Sequence, residues 1–99
     1  MNMYIEHKHF KLPNNTSEVD VFISPTGDIE VMIEGHQQVL KGDFHHLAFK
    51  KMNTGVDLIY KTRSKKSSWD IILTPQDAEI VSKMMNEADE YYEIIMRDL

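Results

Sequence analysis

Five histidines and no cysteine make up the metal-binding and nucleophilic inventory of this 99-residue chain. Without a thiol, neither a thiolate zinc site nor a cysteine nucleophile can be built. His7 and His9 are two residues apart, so an extended strand carries both on one face, and His45 and His46 are neighbours. Glu6 and His9 have a Glu-x-x-His spacing, but on a strand residues three apart fall on opposite faces, so ordinary surface or half-buried histidines are expected rather than a metal site. Ser17, Ser24, Ser64, Ser67 and Ser68 stand in loops, outside any Gly-x-Ser-x-Gly elbow. Gly27, Gly35, Gly42 and Gly55 each stand alone, which leaves no glycine-rich phosphate loop and no dinucleotide fingerprint. The reading is a non-enzymatic chain with no catalytic set, no metal and no cofactor.

Two other groups of residues could act by binding. Lys41, Lys50, Lys51, Lys61, Arg63, Lys65 and Lys66 are interleaved with Phe44, Phe49, Tyr60 and Trp69. Cations that neutralise phosphate beside rings that stack on bases are the chemistry of single-stranded nucleic-acid binders. Against this, period-two alternation turns Tyr60 and Trp69 inward with Val56, Leu58 and Ile71, and a pI of about 5.4 is far below that of a typical nucleic-acid domain. The second group is acidic: Glu79, Glu87, Asp89, Glu90, Glu93 and Asp98 surround an apolar stripe near the end of the chain, and Ile80, Ile94 and Met96 add apolar area beside it. A helix that also meets a partner has this pattern.

Charge is segregated along the chain. Residues 1–40 carry 2 Lys against 6 Asp and Glu, residues 41–68 carry 7 Lys and Arg against 2 Asp, and residues 69–99 carry 2 basic against 8 acidic residues. Blocks of opposite sign attract one another, a second copy or a differently charged partner.

The elements that must position these groups follow from periodicity. Val19, Val21 and Ile23, then Ile29, Val31 and Ile33, alternate with polar residues, and Ser24, Pro25, Thr26 and Gly27 between them predict a hairpin turn. An opening strand over residues 3–10 is expected, with a loop over residues 13–17, a short strand over 36–40 and a turn at Lys41, Gly42 and Asp43. Residues 44–52 fit a helical turn and a strand equally well. Val56, Leu58 and Tyr60, then Trp69, Ile71 and Leu73, predict a second hairpin with a basic loop at residues 62–68. Thr74, Pro75 and Asp77 form a helix start, with a capping hydroxyl, a proline at the first helical position and an acid in the first turn. Ala78, Val81, Met85, Ala88, Tyr92, Ile95 and Leu99 then recur at spacings of three and four.

The order strand, basic turn, strand and proline-capped helix in residues 56–96 resembles the end of pleckstrin-homology-like domains. That resemblance implies a bent antiparallel sheet with the last helix capping one end. The same ending is similar to the sheet-then-helix coactivator fold that binds single-stranded DNA as a dimer.

The expectation is one α+β domain: a bent antiparallel β-sheet of five to seven strands in residues 2–74, capped by one long C-terminal α-helix over residues 75–97. With 41% apolar and 27% charged residues the chain should fold. The absence of cysteine fits a cytoplasmic setting, and no run approaches the ~20 apolar residues of a membrane span. The expected function is a protein-binding module, a small regulator or inhibitor, whose partner contacts are Arg63, Lys65, Lys66, Glu87, Glu90, Tyr91 and Ile94. The alternative is single-stranded nucleic-acid binding through residues 41–66. A helix of ~23 residues would be ~35 Å long against ~17–20 Å strands. A homodimer that covers Tyr91, Tyr92, Ile94, Ile95, Met96 and Leu99 is therefore also expected.

Overall fold

Val19, Val21, Ile23, Ile29 and Val31 alternate with polar neighbours, and all five are buried to 1% exposure or less. A computed structural model describes residues 5–14 and 17–97, the side chains of Tyr92, Ile95 and Met96 excepted. The alternating residues form β2 (Glu18–Ser24) and β3 (Asp28–Ile33), antiparallel with Val21 opposite Val31. Pro25 stands in the turn, Gly27 takes a φ of +92°, and the Gly27 N–H donates to the Ser24 carbonyl at 3.0 Å. A positive φ carries no steric penalty for glycine, so the turn closes in the expected register.

β1 (Glu6–Lys11) and β4 (Val39–Asp43) flank this hairpin, giving a four-stranded antiparallel sheet in the order β1-β2-β3-β4. A 3-10 turn at Phe44–His46 leads into β5 (Leu47–Met52), which pairs with β6 (Gly55–Tyr60), and β6 pairs with β7 (Trp69–Leu73). The seven strands thus divide into sheets of four and three. The ambiguity over residues 44–52 resolves into both alternatives in succession, one helical turn and then an edge strand. Of the expected opening strand, Met3 and Tyr4 lie outside the described residues, as do Asn15 and Thr16 of the following loop.

One expectation fails locally. Lys41, Gly42 and Asp43 do not form a turn; they continue β4 opposite Glu30, Ile29 and Asp28. Gly42 is needed there for closeness rather than for bending. A Cβ built on it would lie 2.6 Å from Cδ1 of Tyr60, whose ring rests on the glycine.

Residues Pro75–Arg97 form α1. The Asp77 N–H donates to Thr74 Oγ1 at 3.1 Å, and the Ala78 N–H donates to the Thr74 carbonyl at 2.9 Å, so Thr74 is the N-cap. Asp77 in the first turn and Arg97 in the last complement the helix dipole. The helix buries Ala78, Val81, Met84 and Ala88 against the inner faces of the sheets, where Leu58, Ile71 and Leu73 meet Val19, Val21 and Ile29. Its contacts run to β2, β6 and β7. No helix among the described residues is long and apolar enough to cross a membrane.

Candidate partner-binding cleft

Among the described side chains of α1, Ala88 is the last that is buried. Beyond it Asp89, Glu90, Tyr91, Glu93, Ile94 and Arg97 are exposed, with Tyr91 at 40% and Ile94 at 55%. The described side chains of the last turns are thus open to solvent. Ile23, Pro25, Ala88 and Tyr91 line a cleft of about 200 Å3, with Glu6 of β1 and Glu87 of α1 supplying its charge. Glu6 is half-buried, and its Oε2 is buried with no hydrogen-bond partner among the described residues. Ile5 beside it is 55% exposed.

Glu87, Tyr91 and Ile94 are spaced four and three apart and share one helical face, with Glu90 one turn before Ile94. The four expected helix contacts thus lie together on one exposed face of α1. Glu6, Ile23 and Pro25 were not legible as parts of the cleft: a strand glutamate and a turn proline become cleft residues once β1 and β2 pack beneath the end of the helix. Of the expected dimer surface, the side chains of Tyr92, Ile95 and Met96 and the whole of Leu99 lie outside the described residues.

The basic residues do not form one surface. Lys41 on β4 stands opposite Glu30, with Nζ 3.7 Å from its carboxylate. Lys50 on β5 stands opposite Asp57, while Lys51 points to the other face of that strand. Lys61, Arg63, Lys65 and Lys66 remain together in and beside the β6–β7 loop, all exposed and without an ion pair among the described residues. Lys61 and Lys65 line an open depression with Trp69, but Asp57 and Asp70 line it too. Tyr60 stacks on Trp69 with ring centroids 5.6 Å apart and its ring rests on Gly42, so it is packed within the fold rather than offered to a base. The Tyr60 hydroxyl donates to Asp43 at 3.0 Å, and Trp69 Nε1 donates to the Lys41 carbonyl at 3.0 Å. Both rings fasten one sheet to the other. Arg63, Lys65 and Lys66 also lie in a different element from the helix contacts, and no described contact joins the two groups.

Three titrating clusters complete the picture. His9 donates through Nδ1 to Asp20 at 2.9 Å and through Nε2 to Glu18 at 3.2 Å, while His7 Nε2 donates to Asp20 at 2.7 Å. Both nitrogens of His9 face carboxylates, an arrangement satisfied by the imidazolium form. Asp20 first, then Glu18, raises the His9 pKa, and the bond from His9 lowers that of Asp20. His7 also stacks on Phe22, with centroids 4.4 Å apart. On the three-stranded sheet, burial and then the neighbouring Asp70 carboxylate push Asp57 up to about 6. At the seam between the sheets, His46 bonds Asp43 at 2.7 Å and holds its carboxyl below the ordinary range. Sequence spacing placed His7 and His9 on one face, but their acidic partners depend on the β1–β2 register. No group of three or more His, Asp or Glu among the described residues is placed to hold a metal ion.

Comparison with known proteins finds no matching family model, no matching curated protein and no matching solved structure.

Proposed function

We propose that this chain is a non-enzymatic protein-binding module, a small regulator or inhibitor, that meets its partner through the exposed face of the last turns of α1 and the adjoining cleft. One observation carries the reading. A cleft lined by Ile23, Pro25, Ala88 and exposed Tyr91 also contains Glu6, whose Oε2 is buried without a partner among the described residues. An apolar patch with a few convergent polar groups is how a recognition site differs from ordinary surface. Nucleic-acid binding is supported less well. Lys41 and Lys50 each face an acid across a strand pair, and the Tyr60 ring is packed against Trp69 and Gly42.

The test uses the intact chain immobilised beside a Tyr91→Glu, Ile94→Glu variant. Both positions are exposed, so the variant should keep the parent melt. A protein retained by the parent and lost by the variant supports the reading, and equal capture on both refutes it. Salt-sensitive retention of a single-stranded oligonucleotide, lost in Lys65→Glu, Lys66→Glu, would favour the alternative instead.

A further inference from the structure

We infer that the cleft under α1 receives one arginine side chain presented by the partner, its stem along Ile23, Pro25, Ala88 and the Tyr91 ring and its guanidinium on Glu6 and Glu87. This rests on the protein-binding reading above and specifies its chemistry. Three observations select the occupant. The volume of about 200 Å3 is below the roughly 300–1,000 Å3 of sites for drug-sized ligands, which suits one long side chain rather than a folded element. Ile23, Pro25, Ala88 and Tyr91 make up most of the lining, so the occupant must bring hydrocarbon with its charge. The carboxylates of Glu6 and Glu87 enter no ion pair among the described residues. Glu6 Oε2 is also withdrawn from solvent with no donor, a state that an incoming N–H relieves.

Arginine fits better than lysine. Its planar, weakly hydrated head can bridge two carboxylates and lie against the Tyr91 ring, whereas an ammonium is a compact and strongly hydrated point charge. Glu90 on the neighbouring turn of α1 adds negative potential at the entrance, and the nearby Lys83 is exposed and makes no ion pair with Glu87.

The test is a heteronuclear NMR titration of the whole chain with N-acetyl-arginine methylamide, with the citrulline derivative as its neutral counterpart. The amides of Glu6, Ala88 and Tyr91 should shift with a Kd on the order of 1 mM, and citrulline should bind about tenfold more weakly or not at all. Glu6→Gln and Glu87→Gln should each weaken the arginine derivative by about tenfold while the parent melt is kept. Equal shifts with arginine and citrulline, or none at these residues, overturn the inference. So does a partner lost in the Tyr91→Glu, Ile94→Glu variant but held undiminished by Glu6→Gln, which leaves the binding reading intact. If the same resonances move with protein concentration alone and the sedimentation mass doubles, the occupant is a second copy and the inference fails.

Discussion

Replacing Asp57 with asparagine should stabilise the protein at neutral pH and leave it unchanged in acid. Asp57 lies on β6, diagonal to Asp70, with its Oδ1 buried and unpaired. Burial first, and the Asp70 carboxylate second, raise its pKa from 3.8 to about 6, against an opposing pull from Lys50. A carboxyl whose pKa rises on folding destabilises the folded state when ionised. The penalty is absent below the unfolded value of 3.8, grows between 3.8 and about 6, and is complete above that. At about 1.4 kcal/mol per tenfold change in proton affinity the upper limit is about 3 kcal/mol. Asp57 is half-buried and Asp70 exposed, so solvent screens the pair and a net gain of ~1–2 kcal/mol is expected. Urea unfolding of parent and variant across a pH series measures the difference directly, and the histidine contributions common to both cancel. The variant should be more stable by that amount at pH ~8, with the gap closing toward pH ~4. A gap independent of pH, or a variant less stable at pH ~8, would refute the assignment of the penalty to this carboxylate.

Three further outcomes are expected. Gly42→Ala should destabilise by ~1–3 kcal/mol in a thermal or urea melt, because a Cβ at 2.6 Å displaces a tyrosine ring fixed by Asp43 and Trp69. Thr74→Ala should destabilise by ~1 kcal/mol, leaving the Asp77 amide without its acceptor, whereas Thr74→Ser should retain most of the stability. Asp20→Asn should lower the His9 pKa in an NMR titration, since the bond to Asp20 is the largest contribution raising it; an unchanged titration curve would contradict the β1–β2 network.

The hairpin of β2 and β3 and the start of α1 were legible in the sequence because each rests on local rules: alternation about a proline and glycine turn, and a threonine, proline and aspartate in capping order. The extent of α1, Pro75–Arg97, was legible too, since a three-and-four repeat of apolar residues runs its whole length. Gly42 was misread because a lone glycine between charged residues signals a turn, and its strand role depends on a ring 18 positions later in the chain. Glu6 as a cleft residue, Asp20 as a histidine partner and Asp70 as a neighbour of Asp57 share one cause. Each relation depends on which residues lie opposite or diagonal across strands, and alternation gives the face of a side chain without naming its neighbour.

The fastening of the two sheets by Tyr60 and Trp69 makes the molecule its own gauge. Trp69 is the chain's one tryptophan, so its fluorescence belongs wholly to the seam where its indole N–H meets the Lys41 carbonyl. Circular dichroism in the far ultraviolet is dominated instead by α1, whose last turns stand clear of that seam. The two optical signals read different halves of the fold. Any condition that melts the end of the helix and spares the seam will alter ellipticity while the indole emission stays still.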